Sequence, residues 1–322
     1  MNKIDSYAAF LIEKIGLEVS QYSETSRLGL HGRHCVEARG VWEGVEYIGL
    51  GINQSLATAL TIAVAEFVEH ATVRAHRLDS SSGVAAHFED SAAISNAQTE
   101  LIERDAFMTH WLLHSRGRLI QPAEFEDFLQ IPEFFLSANV AFSFFDVSTV
   151  NGTYSVVCVA DGLRSSIQKF GLTVGLGCHS LLGTALEKAF YEAAVNATVQ
   201  LTAAAQERLD LASFLAQSNW GPTDHLRLSN TESYAELLNS KWRPQAWQIN
   251  STAAPAFQTA KLTVPDFLGE CPFVVYRADA CGLLQKLFFG MPRIEDVNFA
   301  RLRALGWVGN ESELNLLPHV LG

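Results

Sequence analysis

Glu66-Phe67-Val68-Glu69 and Glu100-Leu101-Ile102-Glu103 each set two carboxylates three residues apart inside an otherwise apolar stretch. Three residues along a helix is one face. At 100° per residue, Glu66 and Glu69 share a stripe with Ala59, Ile62, Ala63 and Val73, and Glu100 and Glu103 share one with Ala97, Phe107 and Trp111. Acid on an apolar stripe needs a partner, because burying an uncompensated carboxylate costs roughly several kcal/mol. A third helical stretch adds Glu192, with Lys188 on the same side. Two carboxylates about 5 Å apart, at an effective dielectric near 20, repel by roughly 3 kcal/mol, so a set of five points to divalent cations. Hard oxygen donors with His70 as the one nearby imidazole favour Mg2+, Mn2+ or Ca2+ over Zn2+. A ferritin-like di-iron site requires Glu-x-x-His on two helices, and neither Glu66 nor Glu69 has His at that spacing. The plain reading of one Glu taken alone is a solvated helix face; two matching pairs outweigh it. Arg104 and His70 either neutralise the acids beside them or bind phosphate.

Long helices must carry these groups, and apolar periodicity predicts them over about 55–76, 90–113 and 182–201. Residues 41–50 read as extended, with Gly49 and Gly51 as the turn into the first helix, and 79–83 as a flexible loop. Val140 to Val147 and Tyr154 to Val159, separated by Asn151-Gly152, predict an antiparallel hairpin. Gly175-Leu176-Gly177-Cys178-His179 reads as a second glycine turn, and Phe273 to Arg277 as a buried strand. The polar stretch 209–261 reads as a peripheral excursion, and 311–322 as a tail whose apolar content predicts docking. The expected fold is α+β: a single domain over 1–322 with its core in 40–200, in which mixed or antiparallel sheets pack with long helices carrying an acidic metal cluster.

Bulk properties agree with a globular chain. Its 322 residues, 48% of them hydrophobic and 18% charged, suffice for a large core. A net charge of −12 argues against a nucleic-acid partner. Five cysteines without Cys-x-x-Cys spacing fit reduced thiols. With no basic start ahead of an apolar run, and no 18-residue apolar segment, a cytoplasmic protein with no membrane partner is expected.

The pieces, taken in order, resemble the YcaO family. The resemblance rests on the glycine turn and Ala-rich helix ending Glu66-x-x-Glu69, and on Ser81-Ser82-Gly83-Val84-Ala85-Ala86 ahead of Glu100-Leu101-Ile102-Glu103-Arg104-Asp105-Ala106. It rests also on Gly175-x-Gly177-x-His179 ahead of Ala185-Leu186 and Glu192, and on the carboxy-terminal Pro318-His319. It covers most of 40–200 and, more loosely, the remainder. The resemblance implies that Glu66, Glu69, Glu100, Glu103 and Glu192 hold Mg2+, that Arg104, His70, Lys188 and Ser91 contact ATP, and that Glu103, Arg104 and Glu192 are catalytic.

The activity implied is ATP- and Mg2+-dependent phosphorylation of a peptide backbone amide oxygen in the maturation of ribosomal peptide natural products. An amide oxygen leaves poorly until phosphorylated, and cations around the developing charge accelerate the transfer. The product is an azoline, a thioamide or an amidine according to the attacking group. A precursor peptide is the implied substrate and a separate leader-binding protein the implied partner; a homodimer is expected by analogy alone. Departures are concentrated at nucleotide-facing positions. Ile62 stands for Ser, His70 for Arg, Phe88 for Asn, Ala92 for an acid, Lys188 for Arg and Val195 for Gln, and Val320 and Gly322 replace tail prolines. Two alternatives follow: a noncatalytic scaffold or partner-binding subunit, and a metal enzyme that uses no nucleotide.

Overall fold

The structure is a computed structural model that describes residues 3–22, 33–126, 129–202, 208–243 and 249–321. In chain order the elements begin α1 (Lys3–Ile15), β1 (Glu18–Tyr22), β2 (His34–Trp42), β3 (Val45–Asn53), α2 (Leu56–Ala75), β4 (Val84–His87) and α3 (Asp90–Leu112). They continue β5 (Arg118–Leu119), α4 (Glu133–Ser137), β6 (Ala141–Asp146), β7 (Tyr154–Asp161), β8 (Leu172–His179) and α5 (Leu182–Thr202). The last are α6 (Leu211–Leu215), α7 (Pro222–Ser229), α8 (Glu232–Lys241), β9 (Gln258–Leu262), β10 (Val274–Asp279) and α9 (Phe299–Ala304). Where one domain is expected, the chain gathers into two compact units: residues up to Leu101 with Phe257–Ala280, and Ile102–Ala256 with Cys281–Gly322.

The first unit holds two antiparallel three-stranded sheets, β1-β2-β3 and β4-β10-β9. The 41–50 segment is not one extended run. β2 ends at Trp42, Glu43 and Gly44 turn with φ of 52° and 74°, and β3 returns. Gly49 and Gly51 therefore sit inside β3 rather than at a turn, and the reason they are glycine is different. A Cβ on Gly51 would overlap the Ala59 carbonyl oxygen, and one on Gly49 would lie 2.5 Å from the Phe67 amide nitrogen, so α2 rests directly on the strand's backbone. Ser55 caps α2, its Oγ accepting from Thr58 N–H at 3.4 Å. Ala59, Ala63, Val64, Phe67, Val68 and Ala71 form its buried face. Among the described residues α2 is the one helix long and apolar enough to cross a membrane, and this core face accounts for its composition.

The second unit is built on the antiparallel sheet β5-β6-β7-β8. The predicted hairpin is present as β6 and β7, with Asn151-Gly152 in its connection and Gly152 at φ 75°. The second glycine turn is again a strand. Gly175 and Gly177 lie within β8, where a Cβ on either would overlap a carbonyl oxygen of α5, that of Ala189 or Ala185.

Residues 209–243, expected at the periphery, instead supply Leu209, Phe214, Leu228, Tyr234, Leu238 and Trp242 to the core around Phe107, Met108 and Trp111. Their apolar residues are spread over three short helices, none longer than ten residues, so no single stretch is long enough for a periodic pattern to stand out. The tail packs on the same core. Val320 and Leu321 are buried, Trp111 Nε1 donates to Leu317 O at 2.9 Å, and Tyr234 donates to Pro318 O. Gly322 lies outside the described residues. A buried ion pair braces this unit: Arg301 Nη2 lies 2.7 Å from Asp105 Oδ2, and the same carboxylate accepts from Thr149 Oγ1 and Gln285 N–H.

Candidate functional site

In the first unit, α2 carries Glu66, Glu69 and His70, and the first part of α3 carries Ser91 and Glu100. The close approach of α2 to β3 brings Glu66 onto the strand, and its Oε2 accepts from Leu50 N–H at 2.7 Å. Packing pushes this carboxyl above the ordinary range, with His70 and the Leu50 N–H opposing the rise. The side chain keeps 39% of its surface exposed, so water limits the energetic weight of that shift. Glu100 is held likewise: its Oε2 accepts from Gly83 N–H at 3.1 Å. Glu69 is half-buried on the next position of the same α2 face. His70 donates through Nδ1 to Ile48 O at 2.7 Å, which leaves Nε2 facing Glu66 Oε1 at 4.0 Å. Ser91 is exposed in the first turn of α3.

The second unit carries Glu103 and Arg104 on α3, and Lys188 and Glu192 on α5. Glu192 repeats the arrangement of Glu66, its Oε2 accepting from Leu176 N–H of β8 at 2.7 Å. Glu103 is 15% exposed, and burial pushes its carboxyl up; Arg104, Lys188 and a hydrogen bond from Cys178 N–H pull the other way. Arg104 Nη1 lies 4.0 Å from Glu103 Oε1. The thiols beneath are held protonated. Burial, aided by Glu103 and opposed by Ser155 and Lys188, drives Cys178 up to about 12, and burial with Glu192 raises Cys158.

Four of the five predicted metal acids thus accept a backbone N–H from a strand or strand-leading turn. Such a bond fixes which way a carboxylate faces, as outer-shell hydrogen bonds do for metal ligands. The donors Leu50, Gly83, Leu176 and Cys178 are missing from a side-chain reading because they act through the main chain. A signal for two of them does exist. Gly-Leu-Gly at 49–51, Thr-Ala-Leu at 58–60 and Glu66 recur in register as Gly-Leu-Gly at 175–177, Thr-Ala-Leu at 184–186 and Glu192. In both copies the donor and its Glu are sixteen residues apart.

The acidic metal cluster itself is not formed by the side chains as they stand. Among the described residues no three His, Cys, Asp or Glu side chains gather into a set able to hold one ion. Like charges repel, and these carboxylates are satisfied by main-chain donors instead. The donor chemistry nonetheless fits a hard divalent cation: carboxylate oxygens, pre-oriented and partly withdrawn from water. Two of the positions that depart from the family pattern are committed to packing. Phe88 stacks on Phe273 at 4.6 Å and 16°, and His70 is bonded to the strand.

Residues 61–282 match the family described as YcaO cyclodehydratase, ATP- and Mg2+-binding. No curated protein sequence matches the chain. A heterocyclase in complex with substrate and cofactor superposes with a TM-score of 0.68 at 13% identity, over 99% of this chain and 57% of its own length. This chain therefore spans little more than half of that protein. YcaO from Methanopyrus kandleri, bound with AMPPCP and Mg2+, superposes with a TM-score of 0.58 at 14% identity, over 87% of this chain and 91% of its own. The E. coli microcin synthetase McbBCD complex gives a TM-score of 0.52 at 11% identity, over 82% of this chain and 86% of the matched one. At such identities the likeness is one of fold, α+β with antiparallel sheets.

Proposed function

Since this chain belongs to the YcaO family, we propose that it is an ATP- and Mg2+-dependent enzyme that activates a backbone amide of a precursor peptide, forming an azoline during maturation of a ribosomal peptide natural product. The observation that carries this reading is the set of strand N–H groups that orient Glu66, Glu100, Glu103 and Glu192. In it, Glu66, Glu69, Glu100, Glu103 and Glu192 hold Mg2+, and Arg104, with Lys188 and Ser91, meets the nucleotide. Bound ATP and Mg2+ supply the phosphoryl group and neutralise the charge that develops on it.

The chain's own residues act by preorganisation. Main-chain donors fix the carboxylates before any ligand arrives, so no rotamer search opposes binding. Glu103, raised by burial, exchanges its unfavourable exposure to a dry environment for cation contact. Thioamide and amidine products remain within the same activation chemistry, since the attacking group comes from outside the site. The substrate and partner readings, a precursor peptide and a separate leader-binding protein, draw support from the substrate-bound heterocyclase and the multi-subunit synthetase among the similar folds. A homodimer and a cytoplasmic location belong to the same proposal.

A second reading, a noncatalytic subunit that binds precursor or partner, is favoured by Phe88 and His70, which pack and hydrogen-bond where the family has nucleotide-facing groups. Calorimetric titration of ATP with Mg2+, together with phosphate release in the presence of precursor peptide and partner, separates the two. Binding with release supports the enzyme; neither binding nor release rejects it.

A further inference from the structure

Asn230 is 4% exposed, yet neither Oδ1 nor Nδ2 of its side chain meets a hydrogen-bonding partner among the described residues. Buried polar groups are almost always satisfied, so an amide with both donor and acceptor unmatched calls for an explanation. Its main chain is fixed on both sides. The N–H closes α7 by donating to Leu226 O at 3.1 Å, and the carbonyl accepts from Gly171 N–H at 3.1 Å.

The side chain lines a niche in the second unit together with Gln168, Lys169, Gln200, Arg208 and Arg227. The niche has about 260 Å3 of empty space with its mouth included, of which about 10 Å3 admits the centre of a water-sized atom, room for one. Among the described residues three cationic side chains line it and no acidic one does. Arg208 is set in place by donating from Nη2 to Lys169 O at 2.7 Å, and its Nη1 lies 3.2 Å from Glu232. Arg227 lies 3.8 Å from Asp224. Among the described residues, three cations against two flanking carboxylates give the niche a positive balance.

We propose that this niche binds a phosphate group in its hydrogen-phosphate form. The unmatched amide asks for a single atom that both donates and accepts, and a P–OH oxygen does both, donating to Asn230 Oδ1 and accepting from Nδ2. The remaining phosphate oxygens stay in the mouth, where Lys169, Arg208 and Arg227 supply charge-assisted donors. A lone water would satisfy the amide but gives no role to the cations. Sulfate has similar size and charge but no proton at neutral pH, so it would set a lone pair against Oδ1. Free phosphate carries that proton at neutral pH, and a terminal phosphate monoester, whose second pKa is about 6, carries it below that pH.

The test is equilibrium dialysis of the full chain at about pH 5.5, where phosphate and a monoester both keep a P–OH, without Mg2+ and at constant ionic strength, against inorganic phosphate, O-phosphoserine and sulfate. One phosphate per chain is expected, with sulfate at least about tenfold weaker for want of one hydrogen bond to a buried acceptor. Binding of O-phosphoserine as well assigns the site to monoesters, and its exclusion assigns it to free phosphate; either supports the shared chemistry. Lys169 and Arg208 are exposed, so a double Lys169→Gln, Arg208→Gln variant should fold and lose phosphate by about tenfold or more. Asn230→Ala should erase the preference over sulfate, and if it fails to fold the double variant decides. Sulfate bound as well as phosphate by the native chain would overturn the proposal. So would undiminished phosphate binding in the double variant, which would place the anion at another site.

Discussion

Gly177→Ala tests whether the metal acids depend on the helix lying against the strand. A Cβ at Gly177 would stand 2.7 Å from the Ala189 amide nitrogen, where ordinary contact begins at 3.4 Å, and it would overlap the Ala185 carbonyl oxygen. α5 must therefore retreat by roughly 0.7 Å or more, on the scale at which close-packed atoms forfeit a quarter to a half of their dispersion well. Overpacking of this kind costs about 1–3 kcal/mol, and the upper part of that range applies because the obstructing atoms are backbone and cannot rotate away. The same retreat stretches the 2.7 Å bond from Leu176 N–H to Glu192 to about 3.4 Å or more, longer than the usual 2.7–3.2 Å, and so weakens it. Urea unfolding should show the midpoint falling with an unchanged slope, and any Mg2+-dependent stabilisation should fall with it. Thr153→Ala, in the β6–β7 connection away from the helix–strand contact, serves as the control. An unchanged midpoint and an unchanged Mg2+ response in Gly177→Ala would refute the reasoning.

Glu103→Gln should raise the thermal midpoint of the ligand-free protein, since it removes a charge that burial disfavours, and should abolish the further rise on adding MgCl2. A lowered midpoint with an intact Mg2+ response in scanning fluorimetry would contradict the assignment. His110 is pulled down to about 4 by burial, with Asp146 opposing, so the fold holds it neutral while the unfolded chain protonates near 6.5. Its contribution is therefore complete above about pH 6.5 and is lost as pH falls toward 4, by about 3 kcal/mol in all. Urea midpoints measured at pH 7 and pH 5 should differ in that sense, and His110→Gln should reduce the difference. Arg301→Met leaves Asp105 buried without its cation and should cost about 3–5 kcal/mol, whereas Asp105→Asn in the same chain should recover part of it in chemical denaturation.

The three long helices were legible because each is a long stretch rich in alanine and other helix formers, free of proline and set off by glycine- or serine-bearing breaks. α2, α3 and α5 begin and end within a few residues of their predicted limits. The β6–β7 hairpin was legible for a related reason: Asn151-Gly152 has few conformations to choose among. The glycine pairs were misread. Gly-x-Gly has the same composition in a turn as in a strand on which a helix sits, and what distinguishes them is a neighbour some ten residues away in sequence.

The identity of the acids, their spacing and their hard oxygen chemistry were set by residue type alone, as was the family resemblance that rests on their order. What only tertiary structure decided is how those acids are held. Leu50, Gly83, Leu176 and Cys178 contribute an amide hydrogen that every residue but proline carries, so no side chain announces the role. The same holds for Asn230, an ordinary helix-ending asparagine in sequence, whose unmatched amide comes from a main chain fixed on both sides within a basic niche. A backbone donor becomes specific through position, and position is supplied by packing.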